Sequence, residues 1–175
     1  MYYFAYGSNL SLAQMTERCP HARAITSARV SNYELKITGH SQRWHGGVAT
    51  ITPTDDSEVW GVVYKLDEHC MQLLDVFEGV QEKRYTRQQV TCHMADGTSV
   101  PVITYANTFG EATLWSEQYK NTIIDGAEHF ALPDQYIEIL RSAMTVESQN
   151  LQSVVSRATP RQLWREPVSL PLQQA

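Results

Sequence analysis

Glu78 is the carboxylate whose setting best suits proton transfer. It follows the apolar repeat Cys70, Leu73, Leu74, Phe77 and directly precedes Gly79, which predicts a position at a helix C-terminus. A negative charge there opposes the helix dipole, at a cost of ~0.3–1 kcal/mol if exposed. Apolar neighbours disfavour its charged form and move it toward general-base work near neutral pH. The competing reading is a surface Glu at a frayed helix end. A second candidate is the run Tyr3-Phe4-Ala5-Tyr6-Gly7-Ser8-Asn9-Leu10. A β-prone stretch entering Gly-Ser-Asn leaves backbone N–H groups unpaired where the chain turns, and Gly7 has no Cβ to hold a ligand away. Such an array can bind a carboxylate or a developing oxyanion. The same tripeptide also serves as an ordinary strand-to-helix turn. In Trp44-His45-Gly46-Gly47, His45 is either catalytic or a packed loop residue. Tyr85, Tyr105 and Tyr119 carry hydroxyls that either converge on a site or are satisfied inside a core.

The sequence also argues against several chemistries. Cys19, Cys70 and Cys92 are far apart with no C-x-x-C spacing, and the six histidines form no H-x-x-x-H pair. Structural zinc is therefore not expected, and buried free thiols in a reducing compartment are. The net charge is −5, and the one small basic cluster, Lys83-Arg84 with Arg87, reads as a solvated strand face. Nucleic-acid binding needs more clustered cations than that. No apolar run approaches membrane-spanning length, and the N-terminus lacks a charged region followed by an apolar one, so a cytoplasmic protein without membrane contact is expected.

The elements that must position these residues follow from period and punctuation. Met1–Tyr6, 24–30, 33–38, 47–52, 58–66, 85–94 and 98–107 are strand-like. Pro53 and the polar run 54–57 separate the fourth from the fifth. Asp96-Gly97 predicts a hairpin with a type I′ turn. Ser11 is placed to cap a short helix ending near Arg18, and Asp67 to cap the helix that carries Glu78, with Leu66 and Met71 as a staple. Ser116 is placed to cap a helix to about Gly126, and Pro133 to open one running to about Met144. The expected fold is α+β, a small mixed barrel or sheet of about six strands with flanking helices. Residues 1–144 form the catalytic domain in this reading. Residues 145–175, rich in Gln, Ser and Pro, form a tail that is docked or partly disordered.

Taken together, YFAYGSNL (3–10), WHGGVAT (44–50), EVWGVVY (58–64), LDVFEGV (74–80) and QYKNTIIDGAEHFALP (118–133) resemble the γ-glutamylcyclotransferase family, in the family's order, over roughly residues 2–144. The resemblance implies a mixed barrel, no cofactor, no metal and a small γ-glutamyl substrate, with a homodimer left open. It places the catalytic glutamate on Glu78 and the substrate loop on Tyr3, Phe4, Ala5, Tyr6, Gly7 and Ser8. The pocket tyrosines fall on Tyr85, Tyr105 and Tyr119. The implied reaction is attack of the glutamyl α-amine on the γ-carbonyl, closing 5-oxoproline and releasing an amino acid without water. Asn9-Leu10-Ser11 after Ser8 departs from the glutathione-specific branch. The γ-glutamylamine branch, which usually has Thr at the Ser8 position, and a non-catalytic binder of γ-glutamyl peptides remain as alternatives.

Overall fold

One long hairpin forms most of the barrel. In the computed structural model, which describes residues 1–157, β2 (Arg23–Ser41) and β3 (Gly46–Lys65) pair antiparallel along nearly their whole lengths. Each was expected as two strands. The breaker residues bend these strands instead of ending them. The register shifts between Ser31 and Tyr33, Tyr33 pairs with Pro53, and Asn32 and Asp56 absorb the irregularity at φ of 61° and 58°. A bulge keeps a ladder going past a residue that cannot donate to it. Five strands therefore replace the expected larger number, within the expected α+β barrel.

β1 (Tyr2–Ala5) runs antiparallel to β3, with Phe4 opposite Val63, and closes the barrel by a parallel pairing of Tyr3 with Ile103 on β5. β4 (Thr86–Met94) and β5 (Ser99–Ala106) form the second hairpin, giving a closed order β1-β3-β2-β4-β5. Its turn differs from the type I′ expectation. Gly97 has φ of 84°, but Asp96 is not in the left-handed region. Gly97 N–H donates to Met94 O, and Met94 N–H to Thr98 O, so this is a three-residue loop with glycine in the left-handed position.

The caps fall where the polar residues predict. Ser11 accepts from Gln14 N–H at the start of α1 (Leu12–Arg18), and Asp67 from Cys70 N–H at the start of α2 (Glu68–Glu78). Ser116 does the same for α3 (Glu117–His129), and Pro133 directly precedes α4 (Asp134–Ser142). The part of the tail within the described residues is α5 (Val146–Arg157). Its first turn is tied to the entrance of α3: Val146 N–H donates to Trp115 O, and Glu147 accepts from Glu117 N–H. The expectation for 158–175 lies outside the described residues.

Close backbone approach fixes the elements that reach the site. A Cβ on Gly47 would stand 2.3 Å from Thr113 Cγ2, and one on Gly46 2.7 Å from the Ser116 amide. The two glycines after His45 thus let β3 press against the segment that caps α3. Gly126 on α3 has the same role against the turn at Ser8–Leu10, where a Cβ would meet Leu10 C at 2.5 Å. Gly126→Ala sets two effects against each other. Helix propensity alone would add about 1 kcal/mol of stability, whereas overpacking costs roughly 1–3 kcal/mol. The contact is with backbone, which cannot rotate away, so overpacking wins. The expected result is a lower Tm in differential scanning calorimetry, and a raised Tm would refute this packing.

Candidate active site

Glu78 ends α2, where Gly79 (φ 65°) turns the chain in a left-handed C-cap. Its side chain is 15% exposed. Oε1 accepts from Asn9 Nδ2 at 3.1 Å and lies 3.4 Å from Arg18 Nη1. Oε2 has no hydrogen-bond partner among the described residues. Burial raises the carboxyl pKa above its ordinary value, while the Arg18 charge and the Asn9 hydrogen bond hold it back. The result is a carboxylate pinned by one oxygen, with the other available to exchange a proton.

Asn9 organises this corner. Its amide nitrogen also donates to the Tyr3 hydroxyl at 2.8 Å, and its Oδ1 accepts from Arg18 Nη1 at 2.9 Å and Gln14 Nε2 at 3.0 Å. Gln14 Nε2 continues to Ser8 Oγ at 2.9 Å. Arg18 is held from its other side by the Phe77 ring, 4.8 Å from the guanidinium carbon to the ring centroid. Asn9, Gln14 and Arg18 were missed as site residues by sequence reasoning. Asn9 and Gln14 are near the Gly7-Ser8 turn in sequence and were accessible from it. Nothing in sequence ties Arg18 to Glu78, because only the packing of α1 near α2 brings them together.

A small cavity of about 30 Å³ lies beside Glu78 and Gly7, and it opens toward a groove of about 620 Å³ that shares Ser8, Glu78, Tyr85 and Tyr119 with it. Tyr3, Tyr6 and Tyr105 complete the cavity wall with Asn9 and Ala49. Of the residues expected from sequence, Phe4 and Ala5 do not line it; both are fully buried in β1. His45 is exposed in the turn before β3 and lines neither space, while Trp44 lines the groove, its ring centroid 5.0 Å from that of Tyr119. Gly7 has φ of −103°, so its value to the site is the missing Cβ and not a left-handed backbone.

The tyrosine hydroxyls divide by what their protons do. Tyr85 donates to Ala49 O at 2.9 Å, Tyr6 to Tyr105 O, and Tyr105 to Asp75 Oδ1 at 2.8 Å. Tyr105 thus supplies a ring to the cavity and turns its hydroxyl toward an ion pair between Asp75 and Arg87. Tyr3 and Tyr119 instead accept, from Asn9 Nδ2 and from Ala49 N–H at 3.0 Å. Each keeps a proton to donate. Burial pushes the Tyr119 hydroxyl up to about 12, with the Ala49 and Ser8 amides opposing, so that proton is retained at neutral pH. In the turn itself, Leu10 and Ser11 N–H groups donate to Gly7 O and Ser8 O. Those bonds use the carbonyls of Gly7 and Ser8 and not their amides.

Residues 58–140 match the AIG2-like family, a span that includes Glu78 and the three later tyrosines but not the Gly7 turn or Arg18. γ-Glutamylcyclotransferases from Bos taurus and Homo sapiens are each 37% identical over 144 residues, covering 80% of this chain and 77% of theirs. The chain belongs to the γ-glutamylcyclotransferase family. A solved structure of a γ-glutamyl cyclotransferase agrees, with 32% identity and a TM-score of 0.81 over 90% of this chain and 98% of that one. No group of three or more possible metal-ligating side chains occurs among the described residues.

Arg18→Met removes the cation that opposes the burial of Glu78 while keeping an apolar stem against Phe77. The Glu78 carboxyl should then titrate at a higher pH than in the wild type, followed by carboxyl ¹³C NMR. A downward shift, or none, would show that Arg18 does not face this group.

Proposed function

We propose that the chain acts as a γ-glutamylcyclotransferase on γ-glutamyl amino acids, with Glu78 as the proton carrier. The observation that carries this reading is the half-used carboxylate: Oε1 is fixed by Asn9 and Arg18, and Oε2 has no partner among the described residues and belongs to a cavity wall. In such a substrate the nucleophile and the electrophile belong to one molecule. A site that folds it for attack gains the advantage of an intramolecular reaction, with effective molarities of about 10⁵ M or more. The cavity beside Glu78 receives the γ-carbonyl, and the wider groove takes the rest of the substrate.

The α-amine has a pKa of about 8 and is mostly protonated at pH 7. Glu78 takes a proton from it, and the amine nitrogen attacks the γ-carbonyl carbon. The carbonyl oxygen becomes negative and is held by N–H groups of the Gly7-Ser8 turn, with the Tyr119 hydroxyl as a further donor. Collapse of the intermediate breaks the bond to the leaving nitrogen, which receives the proton from Glu78. The ring nitrogen then gives up its second surplus proton to the freed carboxylate, which passes it to the departing amine, so that the amino acid leaves in its ammonium form. The products are 5-oxoproline and a free amino acid, and the carboxylate returns to its starting charge. Tyr3 is a donor for the substrate α-carboxylate. Three buried free thiols fit a reducing cytoplasm.

Incubation with γ-glutamyl-alanine tests this directly. An enzyme accumulates 5-oxoproline, whereas a binder only saturates. Glu78→Gln should lower kcat at least ~10²-fold while affinity stays within a few-fold; a variant retaining a tenth of wild-type kcat would remove Glu78 from the mechanism. Glu78 must be ionised to accept the proton, and burial raises its pKa. Activity should therefore fall with decreasing pH at a midpoint above the ordinary carboxylate value. An acid limb at or below that value would contradict the assignment.

Gly7→Ala probes the turn. The new Cβ would lie 3.3 Å from Tyr119 Oη and 3.4 Å from Ala49 Cβ, and φ is already permitted to alanine. The expected outcome is a Tm near wild type with kcat lowered about 10²–10³-fold, the usual effect of disturbing an oxyanion donor. Near-normal turnover in a folded variant would exclude the turn from the mechanism.

A further inference from the structure

The groove outside the Glu78 cavity carries charge that the ring closure does not use. Arg43 and Arg84 line it beside Arg18, the partner of Glu78, with His40 as a further lining residue and Glu78 as the one acidic residue there. The chain as a whole carries a net charge of −5, so guanidinium groups gathered at this one mouth run against its composition. Arg29, Arg87 and Arg141 each face a carboxylate elsewhere on the surface. Arg43 and Arg84 face none among the described residues. Glu82 and Arg84 both pack over Gly79 yet form no ion pair.

Placement is as informative as charge. The Arg43 guanidinium lies 5.3 Å above the Trp44 ring, and Trp44 packs edge-on against Tyr119, a wall of the cavity. Burial lowers the Arg18 pKa, Glu78 opposes that, and the like charge of Arg43 adds to the lowering; the two guanidinium groups therefore act on the same space. Arg84 comes from the segment between Gly79 and Tyr85, on the opposite side of Glu78 in sequence. Trp44, Phe77 and Phe109 supply apolar surface in the same groove. An aliphatic stem ending in an anion matches this combination, because planar guanidinium groups bind carboxylates through paired hydrogen bonds.

Resting on the cyclotransferase reading of Glu78, the geometry points to Arg43 and Arg84 as selectivity residues for the released half of the substrate. They favour γ-glutamyl dipeptides whose second residue carries an extra carboxylate, such as γ-glutamyl-glutamate. In that complex the γ-glutamyl part lies in the groove with its γ-carbonyl turned to the mouth of the cavity, the bond to be broken lies beside Glu78, and the second side chain runs along the groove to the two arginines. Leaving residues with a cationic side chain meet like charge there. Amines without any carboxylate gain nothing from it.

The decisive comparison is γ-glutamyl-glutamate against the near-isosteric γ-glutamyl-glutamine, scored by kcat/KM for 5-oxoproline release. Exposed charge pairs are individually weak, so two of them should favour the acidic substrate roughly three- to tenfold at low salt. The ratio should shrink in about 0.5 M NaCl, where screening is short-ranged, and fall toward one in the double variant Arg43→Gln with Arg84→Gln. A wild-type ratio of one or less overturns the proposal, as does a ratio that the double variant leaves intact. Calorimetric binding of both dipeptides to Glu78→Gln separates this subsite from the reaction. Tighter binding of the acidic dipeptide without turnover by the wild type would sink the cyclotransferase reading and keep the subsite. Equal binding would sink the subsite whatever the turnover.

Discussion

The site depends on one side chain, the amide of Asn9. It hydrogen-bonds the catalytic candidate Glu78, the Tyr3 hydroxyl, Gln14 and Arg18 at once. A buried amide has two donors and one oxygen acceptor to satisfy, and here every one of those atoms is used between residues of β1, α1 and α2. A carboxylate moved out of water needs compensation, and Asn9 with Arg18 gives it to one oxygen only. Full compensation would leave a stable but inert ion pair. Partial compensation leaves the second oxygen reactive. Ion pairs taken out of water rarely add net stability, because the cost of dehydration approaches the attraction gained. The Arg18–Glu78 contact is better understood as orienting a charge than as holding the fold together.

The rest of the fold serves that corner. The Gly46-Gly47 pair lets β3 press against the segment that caps α3, and α3 carries Tyr119 to the cavity. Gly126 brings the same helix down on the turn that contains Ser8 and Asn9. Two close approaches thus fix one helix against both a strand and the turn at Ser8–Leu10. The barrel supplies the rigid frame on which a site of this precision depends.

Sequence revealed much of this and missed a definable remainder. Caps at Ser11, Asp67 and Ser116 were legible because each is a local chemical preference of residues three apart. The aromatic strand running into Gly7 and the carboxylate ahead of Gly79 were legible for the same reason. The long β2 and β3 were not, because Pro53 and the polar residues after it carry the signature of a break while behaving as an irregularity in a strand that stays paired with β2. Arg18 was invisible as a site residue, since its partner is sixty positions away. Lys83-Arg84-Arg87 read as one solvated patch, and the fold separates it: Arg87 pairs with Asp75, while Arg84 stands on the groove. The Tyr105 hydroxyl was expected in the pocket and is spent on Asp75 instead, a division that only the rotamer reveals.

The closure of the barrel by β1 also bears on how a ribosome makes this protein. The first strand emerges before any neighbour it needs. Its antiparallel partner spans Val62–Lys65, and its parallel partner, Ile103, is a hundred residues downstream. Thr104 Oγ1 must reach back to Phe4 O to complete the same seam. During synthesis the aromatic stretch Tyr2–Tyr6 is therefore an unpaired, sticky edge, the kind of surface on which nascent chains associate wrongly. A chain truncated before β5 has no closed seam, and one truncated before α3 lacks Tyr119. Contacts this distant in sequence also make for slow folding. The aromatic residues of β1 find their last strand partner only when residues a hundred positions further on have been made, and the nascent chain has to shelter them until then.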